Sequence, residues 1–247
     1  MDEPVIGMIV PPAAGDVPPE AYGLYPSGVK FVARGLALDR MAIDDFGTAV
    51  ERVRELSRQL KNDEGAEALC LMGTSLSFFR GGRFNEELVE LMQEETGLPA
   101  TTMSNAVRDA LRALGAKRIA VGTAYSDEVN ARLRQFLEAS GFELAVLSGM
   151  GIVGVDDVLR TGPEDVTALG LRAAETAEGP VDALFISCGG LPALHLSDAL
   201  EDRLGLPVVA SSTAGVWAAV RLLGVPGTAP ALGALAQTTA SQQRRTA

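Results

Sequence analysis

Histidine is nearly absent from this chain: His195 is the only one among 247 residues. A single imidazole, with no HExxH, no CxxC and no cluster of ligating side chains, argues against a transition-metal site. His195 follows Cys188 closely enough to suggest a cysteine hydrolase pair. No orienting residue or nucleophile elbow accompanies it, so a packing or surface histidine is the plainer reading. Lysine is scarce too. Lys30, Lys61 and Lys117 all lie away from the carboxyl ends of the expected strands, which argues against Schiff-base chemistry. There is no GxGxxG and no Walker A lysine. The two cysteines, Cys70 and Cys188, cannot form a disulfide framework. No apolar run is long enough to span a bilayer. Asp2 and Glu3 do not suit a signal peptide, so a cytoplasmic location is expected.

Basic charge is also in short supply. The formal net charge is −11, which argues against a nucleic-acid partner and offers an anionic ligand no long-range attraction. An anion would have to be held by local donors. After Pro226 the sequence turns to small and polar residues, and about the last ten are expected to be poorly ordered.

What is present is a repeat. Gly73-Thr74-Ser75 follows the apolar run 68–72, and Cys188-Gly189-Gly190 follows the apolar run 183–187. Each is succeeded by a helix-like stretch and then by Gly-Leu-Pro, at Gly97 and at Gly205. ATTMSNAVRDALRALG (Ala100 to Gly115) then parallels VVASSTAGVWAAVRLLG (Val208 to Gly224). The chain is therefore expected to be α/β, with two pseudo-symmetric halves and a site between them.

Alternation of apolar runs with amphipathic stretches predicts parallel sheets flanked by helices. Strands are expected over 5–10, 31–38, 69–72, 100–102, 119–124, 144–147, 183–187 and 208–210. Helices are expected over 44–61, 85–96, 105–114, 127–139, 164–178, 196–204 and 214–223. Asp44 and Ser126 are candidate N-caps, Gly141 a helix terminator and Pro163 a helix start. The loops 11–28 and 148–162 are too long to be plain connectors. One domain is assigned to 1–113 plus 212–247, the other to 114–211.

Ligands of such sheets bind beyond the carboxyl ends of the strands. The segments leaving those ends are Pro11 to Gly15, Gly73 to Ser75, Tyr125-Ser126, Cys188 to Gly190 and Ser211 to Thr213. They are small or hydroxylated. Cys188 is thus a thiol beside glycines whose amides can approach a ligand closely, with Thr74, Ser75 and Tyr125 as neutral donors. Such a cradle suits a carboxylate or the enediolate derived from it. Cys70, inside an apolar strand, reads as packing.

Several strings carry a resemblance: IGMIVPPAAG (Ile6 to Gly15), LMGTSLSFFRGGRFN (Leu71 to Asn85), TGLPATTMS (Thr96 to Ser104), Tyr125-Ser126-Asp127, SCGGL (Ser187 to Leu191) and SSTAGVW (Ser211 to Trp217). The chain resembles the aspartate/glutamate racemase superfamily over nearly its whole length, and within it the arylmalonate decarboxylase family. Racemases and maleate isomerases of the superfamily carry cysteine at both strand ends; here the first position is Gly73. The resemblance implies two flavodoxin-like domains facing each other and a cofactor-free, metal-free loss of CO₂ from an α-aryl or α-alkenyl malonate. Thr74, Ser75, Tyr125 and the amides of Cys188 and Gly189 would form a dioxyanion hole, with Cys188 as the proton donor. Leu38, Met41, Val155 and Val158 would form an apolar pocket for the departing carboxylate, and Pro11, Gly73 and Gly190 would complete the loops. The implied partner is a small dicarboxylate, with no nucleic acid and no membrane, and a monomer is expected. A racemase or cis–trans isomerase of the same fold, and a non-catalytic anion-binding protein, are the alternatives.

Overall fold

Among the described residues, eight strands form two separate four-stranded sheets, in the order β2-β1-β3-β4 and β6-β5-β7-β8. The computed structural model describes residues 3–40 and 49–238. The first sheet comprises β1 (Val5–Val10), β2 (Lys30–Gly35), β3 (Ala68–Leu71) and β4 (Ala100–Thr102). The second comprises β5 (Arg118–Thr123), β6 (Glu143–Gly149), β7 (Ala183–Ser187) and β8 (Val208–Ala210). All pairings are parallel. The two orders match strand for strand, which is the repeat seen in the sequence expressed as topology.

Parallel strands covered on both faces read as continuous apolar runs. β3 and β7 are buried along their whole length. The helices supply the cover. Residues Val53, Leu56 and Leu60 of α2 (Ala49–Glu64) fall on one buried face, as their spacing predicts. The earlier part of that expected helix, with its cap Asp44, lies outside the described residues, as does most of the C-terminal tail. Each Gly-Leu-Pro ends a helix. Gly97 (φ 69°) and Gly205 (φ 65°) close α4 (Gly82–Thr96) and α9 (Leu196–Leu204) in the left-handed conformation. That conformation costs glycine least, and the following proline starts the return to the sheet.

The halves meet through α5 (Met103–Ala113) and α10 (Ser211–Arg221), the helices after β4 and β8. They pack on each other; α5 also touches β4 and β8, and α10 touches β3, β4, β7 and β8. Thr102 caps α5 by accepting the Asn105 amide at 3.1 Å and donates to Asn85 Oδ1 at 2.5 Å. Aromatic packing makes a second link between the halves. Phe78 of α3 (Thr74–Phe78) stacks on Phe136 of α6 (Asp127–Ala139), with centroids 6.1 Å apart.

Some expectations shift. β2 ends at Gly35 rather than Leu38, because Ala37 takes a φ of 58° that no strand continues through. Ser211, Ser212 and Thr213 form the first turn of α10 rather than a loop. Ser126 stands at the N-cap of α6 but its side chain accepts no capping bond. Pro163 begins α8 (Pro163–Thr176) and Gly141 follows α6, as read. The two long loops each hold a short helix, α1 (Pro19–Leu24) and α7 (Val155–Leu159). No helix among the described residues is long and apolar enough to cross a membrane.

Phe136 is 2% exposed and contacts the other half through Phe78. Phe136→Ala should lower unfolding free energy by about 3–5 kcal/mol. Urea denaturation would read this as a lower midpoint at unchanged slope; a midpoint within error of wild type would contradict it.

Candidate active site

The carboxyl ends of the two sheets open into one cleft of about 440 Å³. Pro11, Gly73, Thr74, Ser75 and Leu38 line it from the first half. Tyr125, Val155, Val158, Cys188, Gly189 and Gly190 line it from the second. Every residue assigned to the dioxyanion hole, the thiol loop and the apolar pocket therefore lines it, except Met41, which lies outside the described residues; Ser126, His195 and residues 211–213 do not line it.

Gly73 and Thr74 turn β3 into α3. The Gly73 carbonyl accepts from Ser77 Oγ at 2.9 Å, and the Thr74 carbonyl from Ser104 Oγ at 3.1 Å. The two serine hydroxyls are 2.6 Å apart. This buried hydroxyl pair fixes the first turn and leaves the Thr74 and Ser75 side chains toward the cleft. Thr74 Oγ1 is itself buried without a well-formed bond inside the protein, although it and Ser75 sit close enough to the Tyr125 phenol to favour its ionised form. Tyr125 is fixed through its backbone. Its amide donates to Thr123 Oγ1 at 3.2 Å, and its carbonyl accepts from Asn130 Nδ2 at 3.2 Å. Thr123 in turn donates to Asn130 Oδ1 at 2.7 Å. Ser187 Oγ reaches the phenol at 3.4 Å.

The thiol loop is strained. Cys188 holds a φ of 148°, rarely adopted by a residue with a side chain. Its amide donates to Ser211 Oγ at 3.4 Å. The resemblance assigns that amide to the ligand; here it has a partner within the protein. Gly189 is tightly packed, and a side chain there would have to displace the end of Met103. A Cβ there would stand 2.9 Å from Met103 Cε and 3.1 Å from the Met72 carbonyl. Burial pushes the Cys188 thiol up to about 11, although the Gly190 amide, the Tyr125 hydroxyl and the Leu191 amide favour the thiolate. Burial, reinforced by neighbouring Cys188, raises the Tyr125 phenol well above its ordinary value. Thiol and phenol are thus both protonated at neutral pH. Cys70, fully buried and pushed up to about 12, contacts Met72 and the Gly215 carbonyl, as packing requires.

The apolar arm is assembled by the long loops. Leu38 is tied to the first loop by its amide, which donates to the Pro11 carbonyl at 2.9 Å. The Val155 amide donates to the Asp39 carbonyl at 3.0 Å, and Arg40 bridges to Gly154. These bonds join the halves over the cleft. They also bring in charge that the strand ends lack: Asp16, Glu20 and Arg40 line the cleft. Sequence reasoning missed all three. The signal was loop length alone, since no periodicity marks a side chain in a Pro-rich segment. Glu20 is 3% exposed, and burial raises its carboxyl above the usual range. His195, by contrast, stays with the packing reading: its ring nitrogen bonds Thr167 Oγ1 at 3.1 Å and the Pro163 carbonyl at 3.0 Å. Among the described residues, no three His, Cys, Asp or Glu side chains gather as a metal-binding group.

Two like α/β halves with a thiol in the cleft between them define an enzyme of the racemase and isomerase superfamily. A family model for arylmalonate decarboxylase matches residues 6–236. The arylmalonate decarboxylase of Bordetella bronchiseptica is 47% identical over 221 residues, covering 90% of this chain and 91% of its own. The chain belongs to the arylmalonate decarboxylase family, and it is a decarboxylase. A solved arylmalonate decarboxylase, liganded and carrying one glycine-to-cysteine and one cysteine-to-serine replacement, superposes with a TM-score of 0.90 at 45% identity, over 94% of this chain and 98% of that one. The maleate isomerase of Nocardia farcinica is more distant, 28% identical over 93% of this chain and 94% of its own.

The raised thiol has a direct consequence. At pH 8, Cys188 should be alkylated by iodoacetamide on the order of 10²-fold more slowly than a free cysteine. The rate should climb with pH toward about 11 as the thiolate forms. Peptide mass spectrometry separates it from Cys70. A rate already level by pH 9 would contradict the assignment.

Proposed function

We propose that the protein removes CO₂ from an α-aryl or α-alkenyl malonate and protonates the resulting enediolate on one face from Cys188. One observation carries this reading: a single protonated thiol faces uncharged hydroxyl donors, while the pseudo-symmetric position across the repeat is Gly73.

One carboxylate is held by the hydroxyls of Thr74, Ser75 and Tyr125 and by the Gly189 amide. Held rigidly, it sets the second carboxylate perpendicular to the plane of the forming enediolate. That second carboxylate lies against Leu38, Val155 and Val158, with Met41 assigned to the same wall. Apolar surroundings disfavour its charge relative to neutral CO₂. The electrons of the breaking C–C bond pass into the enediolate, whose two oxygens meet the same donors. The aryl group spreads the charge, so the step calls for no cofactor. The thiol proton then passes to the α-carbon, and the thiolate is reprotonated from water. A racemase or isomerase working by two thiols would need a second acid where Gly73 stands. We read residues 1–113 with 212–247 as one domain and 114–211 as the other, with the reaction at their junction.

Incubation with α-methyl-α-phenylmalonate should release CO₂ and give one enantiomer of 2-phenylpropionate. Binding without CO₂ release would overturn the reading. Cys188→Ala should lower turnover by on the order of 10²-fold or more, with the fold retained. Wild-type turnover in that variant would remove the thiol from the chemistry. Thr74→Ala, Ser75→Ala and Tyr125→Phe should each cost on the order of 10²–10³ in kcat, more than in KM, because the donors act on the developing enediolate. Losses below about threefold at all three positions would contradict the dioxyanion-hole assignment.

A further inference from the structure

Among the described residues, Glu20 is the one deeply buried acid on the cleft wall that the reaction above leaves unused. It sits in the first turn of α1, in the first half of the chain, directly after Pro18 and Pro19. Its Oε1 accepts the backbone amide of Ala193 at 3.1 Å, across 173 residues of sequence. Ala193 lies in the loop 188–195 that begins at Cys188 and runs to α9. The opening amide of that loop, on Cys188, donates to Ser211 Oγ at 3.4 Å. Inside the loop the Leu191 amide turns back to the Cys188 carbonyl at 3.4 Å. The thiol loop is therefore held at Cys188 and again at Ala193 by side chains from elsewhere in the chain, and the strained φ of Cys188 lies within that span. A backbone conformation of this kind persists only where its surroundings over-determine it.

We propose that Glu20 is a positioning residue: by holding the Ala193 amide it fixes the loop that aims the Cys188 thiol at one face of the enediolate. Burying a carboxyl is costly, and a hydrophobic side chain in its place would pack without that cost. What an apolar residue cannot do is accept the buried amide. This inference rests on Cys188 being the proton donor.

The test compares Glu20→Met, which fills the volume without a strong acceptor, with Glu20→Gln, which restores one. Glu20→Met should lower kcat by roughly 10-fold or more, with KM changed by less than about threefold, because a displaced donor mainly slows its own step. It should also erode the enantiomeric purity of 2-phenylpropionate, since solvent then competes with a misplaced thiol. Glu20→Gln should recover both. A purely structural role would reduce the folded fraction and leave product purity untouched, so purity is the deciding readout. A folded Glu20→Met variant with wild-type purity and turnover overturns the proposal. Should that variant fail to fold, hydrogen exchange in the wild-type protein decides. The Ala193 amide should exchange far more slowly than an unstructured one, and exchange at the unstructured rate overturns the contact. Racemic product from the wild-type protein, or unimpaired Cys188→Ala, would instead refute the underlying function.

Discussion

The proposed reaction depends on a thiol that keeps its proton while standing next to the neutral donors we propose bind the anion. A lysine, a metal or a basic histidine at that position would stabilise the thiolate and remove the acid. Here burial pushes Cys188 up to about 11, and its nearest polar partners are amides and a phenol that is itself raised. Neutral donors can hold a carboxylate without lowering the thiol far.

Symmetry supplies the geometry. Two sheets of one strand order turn their carboxyl ends toward a common cleft, with α5 and α10 packed between them. Equivalent loops then face each other, and chemistry arises from where they differ. The first turn at Gly73 and Thr74 is fixed by the Ser77 and Ser104 hydroxyls; the second is strained at Cys188 and braced by Ser211 and Glu20. The long loops add what the repeat does not, including the apolar wall and the bridge from Arg40 to Gly154.

Much of this was legible because it is local. Apolar runs such as 183–187 and 208–210 match their strands end for end, and the Gly-Leu-Pro segments close the helices they follow. The polar cradle was legible because hydroxyl and glycine residues cluster just past those strands. What escaped was set by tertiary contact. Ala37 ends β2 by a backbone angle that composition does not encode. Helices α1, α3 and α7 are too short to show a period. The direction of the Cys188 amide depends on Ser211, and the burial of Glu20 on Ala193, partners 23 and 173 residues away.

Gly73 offers the most direct measurement. Its φ of −133° is open to any residue. A Cβ added there meets Leu76 Cβ at 3.3 Å and Pro11 Cγ at 3.7 Å, so a thiol can be accommodated with a small shift of Leu76. The double variant Gly73→Cys, Cys188→Ser moves the acid to the opposite wall of the cleft. Chiral chromatography of its 2-phenylpropionate should show the enantiomer opposite to wild type, formed at a reduced rate because the new thiol lacks its tuned surroundings. An active double variant that still yields the wild-type enantiomer would mean that the two loops do not face each other across the substrate.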